Sequence, residues 1–337
     1  MRIVIVGLSL LLVSPSHAAS SLLINGAGAT FPFPLYSKWF SDYRKVDPQV
    51  EVNYQSVGSG AGIRQFLDRT VDFGASDAPM SDEQIAKADG PVLHVPMVLG
   101  AVVVTYQLPE AKDALVLDGV TLADIFLGKV TSWSDARIAA LNPTLSLPKT
   151  PILVAHRSDG SGTTAIFVDY LAKVSAEWKA GVGTGTAVKW PAGLGGKGNE
   201  GVTGLVKQTP GAIGYVELVY AKQNQLSIAK MKNAAGKAIL PSPKTVTAAA
   251  AGAFSSIPAD FRVSITNASG ADSYPIAGFT YLLIHGKMPQ ATGSKIVQLL
   301  NWALTQGQAQ ASALDYAPLP KALAQKVLTS LKGIQLQ

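Results

Sequence analysis

The hydrophobic pattern along the chain alternates between short apolar runs and stretches with apolar residues at helical spacing. The apolar runs predict strands at residues 21–24, 50–54, 71–75 and 151–155. Helical spacing follows three of them, at residues 35–40, 63–67 and 165–171. Strands that alternate with helices predict an α/β fold with parallel sheets covered by helices on both faces.

The second half of the pattern is less regular. It predicts two separate β-like stretches at 92–98 and 101–106, the first interrupted by Pro96, and later strands at 212–216 and 275–284. Further helices are predicted at 122–127, 136–141, 295–304 and 321–331. Residues 229–272 are weakly periodic and indicate surface elements.

Small polar loops follow four of the predicted strands. They occupy residues 25–32, 58–62, 76–77 and 157–164, and the last combines two glycines, several hydroxyls, Arg157 and Asp159. Thr30, Ser59 and Ser81 are predicted caps of the helices that follow. A helix N-terminus presents free backbone N–H groups to anions, and ligands of open α/β sheets lie beyond the carboxyl ends of the strands. These loops therefore predict a cage for a small oxyanion.

Arg157 and Asp159 lie two residues apart in the last loop. One interpretation is a surface ion pair that contributes less than ~1 kcal/mol. The other, which we favour, is that Asp159 holds the guanidinium so that its donors face the anion.

Asp77 is the residue that would decide which anion is bound. A carboxylate in an anion cage is repulsive unless the anion carries a proton, and phosphate keeps one or two protons near neutral pH whereas sulfate keeps none. With sulfate, the carboxylate would stay buried and unpaired, which costs several kcal/mol. The alternative is that Asp77 only caps the helix that starts near Ser81.

Composition and charge narrow the class of protein. The 337 residues are 47% hydrophobic and 15% charged, with a net charge of +6, no cysteine and no basic run interleaved with aromatics. These values are typical of a globular protein and do not indicate nucleic-acid binding. Residues 1–18 predict a cleavable secretory signal, because their apolar run of about 11 residues is shorter than the ~20 that span a bilayer. We therefore expect an exported, periplasmic protein.

Several other motifs are weaker evidence, and they would indicate nucleotide binding, catalysis or metal binding instead. Residues 193–198 match the dinucleotide-binding pattern without a preceding strong strand, and the sequence contains no phosphate-binding loop of the ATPase type. Ser161 could serve as the nucleophile of a secreted phosphomonoesterase-like hydrolase, but the G-x-S-x-G pattern is missing. His94 and His285 lie in apolar strands, His156 should face away from Arg157, and no pair of histidines or carboxylates has metal-ligand spacing. We expect neither catalysis nor a cofactor nor a metal.

Six segments together resemble the periplasmic phosphate-binding proteins of Pst-type ABC phosphate importers. They are GAGATFP (26–32), VDFGASD (71–77), RSDGSGT (157–163), VKWP (188–191), GGKGN (195–199) and PGAIGY (210–215). The resemblance implies a type II periplasmic-binding-protein fold, in which two α/β lobes joined by a hinge close on one buried phosphate. Lobe one would comprise 20–97 plus 275–337, and lobe two 98–274.

Carried over position by position, the resemblance implies a set of phosphate ligands. They are Thr30, Phe31 through its N–H, Ser59, Asp77, Arg157, Ser161, Gly162 through its N–H, and Thr163, with Asp159 orienting Arg157. The implied function is high-affinity phosphate binding by a monomer that delivers phosphate to membrane permease subunits. A binder of another tetrahedral oxyanion, such as arsenate or sulfate, is the remaining alternative to this and to the hydrolase.

Overall fold

The computed structural model describes residues 21–109, 111 and 115–337. The strands are β1 Leu22–Gly28, β2 Val50–Ser56, β3 Phe73–Ser76, β4 Val92–Tyr106, β5 Val116–Leu117, β6 Leu153–Arg157, β7 Leu194–Gly196, β8 Ala212–Glu217, β9 Ser227–Ile228, β10 Lys230–Lys232, β11 Ala238–Ile239, β12 Ala277–His285, β13 Lys287–Met288 and β14 Gln335–Leu336. The predicted signal segment 1–18 lies outside the described residues. Within them, no helix has the length and apolar character needed to cross a membrane.

Thirteen α-helices are found in this part of the chain. They are α1 Phe33–Val46, α2 Ser59–Leu67, α3 Asp82–Ile85, α4 Gly119–Phe126, α5 Ala136–Leu141, α6 Gly162–Val174, α7 Ala176–Gly181, α8 Gly198–Gln208, α9 Leu218–Gln223, α10 Pro243–Ala253, α11 Gln290–Trp302, α12 Gln308–Ala311 and α13 Lys321–Ser330. A π-helical turn, Ala303–Gly307, joins α11 to α12.

The main sheet has the strand order β2-β1-β3-β12-β4-β8-β6-β7, with β9 paired to β4. Two parallel groups, β2-β1-β3 and β8-β6-β7, flank the centre as predicted. The prediction of parallel sheets does not extend to the centre of the sheet, because β12 and β4 run antiparallel to each other and to the strands they join. The two central strands link the groups in one mixed sheet.

Strand β4 is one continuous strand rather than the two predicted stretches. A β-bulge lets it pass through Pro96: Tyr281 lies opposite Pro96 and Thr280 opposite Val98, so Met97 is the extra residue. Proline cannot donate to a strand ladder, and a bulge is where a sheet tolerates it. The strand pairs with β12 up to Ala101 and with β8 from Val102 onwards.

Two of the three predicted helix caps are wrong. Helix α1 has Pro32 as its N-cap and α2 has Gly58, whose φ of 92° favours glycine, so the hydroxyls of Thr30 and Ser59 are free for other contacts. Ser81 caps α3 as predicted, in a capping box with Gln84.

The weakly periodic region 229–272 is not confined to the surface. Its main element is α10, which buries Val246, Ala249 and Ala250. The small alanine side chains weaken the periodic signal in the sequence, although they still form a packed helix face.

Candidate functional site

The polar loops converge because their strands end at matching levels. In the parallel register, Gly28 at the end of β1 lies opposite Ser56 of β2 and Ala75 of β3. The loop after β6, from the other parallel group, contacts the loop after β2 directly: Gly60 N donates to Gly160 O at 2.8 Å. All four predicted loops therefore meet in one place.

Close approach in this region depends on glycine. A Cβ built on Gly162 would lie 2.6 Å from the Cβ and backbone N of Asp77. No real Cβ tolerates that distance, so a larger residue would force α6 away from the β3 corner.

Ser59 joins the two sides of the site. Its Oγ accepts hydrogen bonds from Asp77 N at 3.3 Å and from Gly162 N at 3.0 Å. A hydroxyl oxygen has two acceptor sites, so both are used and the Ser59 hydrogen remains available to donate. Gly162, predicted to bind an anion through its N–H, here uses that group for Ser59.

Arg157 and Asp159 form a two-pronged pair. Nε donates to Oδ1 at 2.8 Å and Nη2 to Oδ2 at 2.6 Å, and the Arg157 side chain is only 1% exposed. Burial pushes the pKa of Asp159 upwards, but the hydrogen bonds and charge of Arg157 outweigh it and hold that pKa below its usual value. The pair is therefore not the surface ion pair of the first interpretation, and Asp159 fixes the plane of the guanidinium.

The third nitrogen of Arg157, Nη1, and the hydroxyl of Thr30 are linked through Thr163 and Asn199, and the sequence had not indicated a role for Asn199. Arg157 Nη1 donates to Thr163 Oγ1 at 3.4 Å, and Asn199 Nδ2 donates to Thr163 Oγ1 at 3.2 Å and to Thr30 Oγ1 at 2.7 Å. Asn199 lies at the start of α8 and is fully buried. The feature of the sequence that could have pointed to Asn199 is its position directly after the glycine-rich segment 195–198.

Asp77 is 4% exposed and its carboxylate faces Gly162. Thr280 Oγ1 donates to Asp77 Oδ1 at 2.8 Å. Burial raises the pKa of Asp77 to about 7, while the Thr280 hydrogen bond and the charge of Arg157 act in the opposite direction. The alternative role as a cap of α3 does not fit, because Ser81 performs it. Thr280 was missed by the sequence reasoning, since nothing in strand 275–284 distinguishes it locally.

Phe31 and Ser161 are the last two of the predicted phosphate ligands. Phe31 is buried, and its carbonyl accepts a hydrogen bond from Tyr316 at 2.6 Å. Among the described residues its N–H has no hydrogen-bond partner. Ser161 caps α6, and its Oγ accepts from Thr164 N at 3.0 Å.

Comparison with known proteins shows which family this chain belongs to. A model described as the PBP superfamily domain matches residues 13–306. The Phosphate-binding protein PstS of Pasteurella multocida is 46% identical over 312 residues, which cover 92% of this chain and 90% of the relative. The PstS of Haemophilus influenzae is 47% identical over 88% of this chain and 89% of its own. The chain belongs to the PstS phosphate-binding protein family.

Solved structures agree on the fold. A high-affinity periplasmic phosphate-binding protein (PfluDING), solved with bound phosphate at pH 8.5, has a TM-score of 0.72 and 22% identity and covers 94% of this chain and 100% of its own. The phosphate-binding protein of Stenotrophomonas maltophilia has a TM-score of 0.70 and 20% identity, covering 92% and 94%. The predicted resemblance and the predicted two-lobed α/β fold are confirmed.

Membership of the PstS family also bears on the alternatives. The family consists of binding proteins, which confirms that the chain is not an enzyme. Among the described residues, neither a histidine nor a carboxylate is hydrogen-bonded to Ser161 Oγ. Its role here is to cap α6.

The other sequence motifs have structural roles. Gly198, at the end of the dinucleotide-like pattern, begins α8 and donates its N–H to Asp159 Oδ1 at 3.0 Å. His156 stacks on Trp190 at 4.8 Å and His285 on Phe66 at 4.0 Å, while His94 Nε2 accepts from Met80 N. The described part of the chain contains no group of three or more potential metal ligands.

Proposed function

We propose that this protein binds inorganic phosphate between its two lobes and delivers it to the permease subunits of an ABC-type phosphate importer. The observation that carries the proposal is the combination of converging hydroxyls, one fixed guanidinium and one buried carboxylate. The family membership supports it, since both relatives described above are named for phosphate binding.

The proposed ligands are those that the resemblance implies. They are Thr30, Phe31 N–H, Ser59, Asp77, Arg157, Ser161, Gly162 N–H and Thr163. The N-terminus of the 13-residue helix α6 adds the favourable end of its dipole to this set. For Gly162 N–H to reach the anion, it must exchange or share its bond with Ser59 Oγ.

Asp77 supplies selectivity in this proposal. Its Oδ1 is engaged by Thr280, and its second oxygen accepts the hydrogen of a P–OH group. Sulfate has no such hydrogen, so the carboxylate would face it unpaired or take up a proton. Arsenate keeps its proton near neutral pH, as phosphate does, so Asp77 distinguishes poorly between arsenate and phosphate.

The affinity that such a site can reach is high. A hydrogen bond to a charged group contributes roughly 1.5–3 kcal/mol. A few of them give a micromolar or lower Kd, about 8 kcal/mol, after the cost of ordering the ligand and closing the lobes.

The proposed lobes are residues 20–97 plus 275–337 and residues 98–274. The pairing of β4 supports a crossing close to Ala101, a few residues beyond 97, because the strand changes partner there. Hinge closure would bring Arg157, Ser161 and Thr163 onto an anion held by Thr30, Ser59 and Asp77.

We further propose that the protein acts as a monomer in the periplasm, after cleavage of the signal segment 1–18. The predicted signal and the solved relative described as periplasmic support this location. N-terminal sequencing of the protein from a periplasmic extract tests the cleavage, and a start before residue 19 contradicts it.

Titration calorimetry tests the binding proposal. Protein stripped of bound anion by unfolding and refolding should bind phosphate with micromolar or lower Kd. At about pH 9, where Asp77 is ionised and must take up a proton to accommodate sulfate, it should bind sulfate at least about 100-fold more weakly than phosphate. Comparable affinity for both anions contradicts the role of Asp77. Binding of neither anion contradicts the function. Anion chromatography of the denatured, unstripped protein should release phosphate.

A further inference from the structure

Asn199 makes hydrogen bonds on every side of its amide, and its orientation is fixed by one of them. Oδ1 accepts from the backbone N–H of Glu217 at 2.9 Å. A backbone N–H can only donate, so the atom facing Glu217 must be the amide oxygen, and Nδ2 must face the threonines.

The two hydrogens of Nδ2 have separate acceptors. One goes to Thr30 Oγ1 at 2.7 Å and the other to Thr163 Oγ1 at 3.2 Å. Each threonine oxygen also accepts a second bond: Thr30 from Asn199 N at 3.2 Å, and Thr163 from Arg157 Nη1 at 3.4 Å. Both oxygens thus have their two acceptor sites filled, and each hydroxyl hydrogen must point elsewhere.

We propose that Asn199 is a positioning residue that sets the hydroxyls of Thr30 and Thr163 as obligatory donors to the anion. This inference rests on the proposed function. A threonine hydroxyl can otherwise act as donor or acceptor, and an acceptor would tolerate a P–OH group at that point. With both hydroxyls fixed as donors, the anion must present unprotonated oxygens to them, and Asp77 becomes the place for its hydrogen.

The same residue links the two proposed lobes. Thr30 lies in residues 20–97, whereas Asn199, Thr163 and Glu217 lie in 98–274. The Asn199–Thr30 bonds therefore exist only when the lobes are together, so closure and orientation of the hydroxyls occur in one step.

Two substitutions separate orientation from packing. Asn199→Asp has the same shape but no donor hydrogens, so its carboxylate would accept from both threonines, turn their hydrogens away from the anion and add a negative charge. We expect phosphate to bind at least about 100-fold more weakly. Asn199→Ala removes the donors but leaves the hydroxyls free to rotate, and we expect a loss of about tenfold.

Lowering the pH should partly rescue Asn199→Asp. A protonated carboxyl regains one donor, so the affinity of Asn199→Asp relative to wild type should recover as the pH falls towards the pKa of the new carboxyl. Arg157, Asp159, Glu200 and Glu217 are the charged or titratable groups around this position. Because phosphate and Asp77 also titrate, the ratio to wild type at each pH is the quantity measured. Asn301→Asp, on the exposed side of α11, controls for the change in net charge, and Asn199→Ala, which adds no charge, shows the effect of losing the donors alone.

An Asn199→Asp protein that binds phosphate as well as Asn199→Ala does, or better, overturns the inference, because the isosteric change is the milder one if Asn199 only fills space. Failure of the wild type to bind phosphate contradicts the proposed function instead. The hydrogen bond that orients Thr163 is then tested without ligand, because Thr163 lies in the same proposed lobe as Asn199: the Asn199 side-chain amide signals in a ¹H–¹⁵N spectrum should shift in Thr163→Val, and unshifted signals overturn the inference.

Discussion

At the level of single residues, the site places the buried Arg157 guanidinium and two carboxylates, Asp77 and Asp159, among neutral donors. The buried Arg157 guanidinium is paired with Asp159, which engages two of its nitrogens. Burial of Asp77 is offset only in part by the Thr280 hydrogen bond and the charge of Arg157, so its pKa rises to about 7. The two carboxylates of the site thus differ in environment, and only Asp77 can exchange a proton near neutral pH.

Asp77→Asn should narrow the discrimination between phosphate and sulfate. The amide can donate to an unprotonated oxygen, so sulfate binding improves while phosphate loses its acceptor. We expect the ratio of the two affinities, measured by calorimetry at about pH 8, to fall by at least about tenfold. Asp68→Asn, an exposed change of the same charge at the end of α2, should leave the ratio unaltered. A ratio unchanged in Asp77→Asn as well would show that this carboxylate does not face the anion.

The raised pKa of Asp77 also predicts a pH dependence of stability in ligand-free protein. Between about pH 4 and about 7 the unfolded chain has lost this proton while the folded chain retains it, so the free energy of unfolding falls as the pH rises. Above that window both states are ionised and this contribution is constant. Urea unfolding across the window should show a shallower fall in Asp77→Asn. Glu217, whose pKa is also raised by burial, contributes with the same sign in both proteins. Parallel profiles would contradict the assignment.

At the level of elements, the position of α6 against the β3 corner determines the shape of the site. The helix starts at Gly162, and its Ser161 cap keeps the first turn ordered. Backbone contact of this turn with Asp77 is possible only without a Cβ. A residue that a propensity argument would call helix-weakening is therefore required here by packing.

Gly162→Ala should weaken phosphate binding by at least about tenfold, because the new methyl group forces the α6 turn and Asp77 apart. Gly204→Ala is the matched control: it lies inside α8 with no atom within 4 Å of the added Cβ, and should raise the free energy of unfolding by about 0.5–1 kcal/mol without altering affinity. Calorimetry and urea unfolding of both proteins check these results. Wild-type affinity in Gly162→Ala would mean that the close approach is not needed for binding.

At the level of the whole molecule, β4 and β12 connect the two parallel groups of strands. Several contacts cross between the proposed lobes, and Arg262 makes one group of them. Its Nη1 donates to Asp82 Oδ1 at 2.6 Å and to Met80 O at 3.1 Å, while Nε donates to Asp260 at 2.8 Å. This arrangement spans residues of both proposed lobes and favours the closed state modestly, as exposed ion pairs do.

Arg262→Ala should accelerate phosphate release by up to about fivefold at low ionic strength, and less in salt, because an exposed pair contributes at most about 1 kcal/mol. Stopped-flow measurement of phosphate release checks this. Arg137→Ala is the control, since Arg137 pairs with Asp124 and Asp135 within proposed lobe two. If both variants release phosphate equally faster, the effect comes from the change in net charge and not from closure of the lobes.

The sequence alone determined the α/β class, the residues of the polar loops and the two acids among them, Asp77 and Asp159. Local chemistry is sufficient there: glycines, hydroxyls and strand-to-helix transitions are readable from neighbours in the chain. The sequence alone did not reveal that Thr30 and Ser59 do not cap helices, or that β4 continues through Pro96. It also did not reveal that Asn199 and Thr280 belong to the site. Each of those depends on partners far away in sequence, such as the 169 residues between Thr30 and Asn199. Only the tertiary structure brings such groups to hydrogen-bond distance, and burial there decides which of them keep a charge and which must donate.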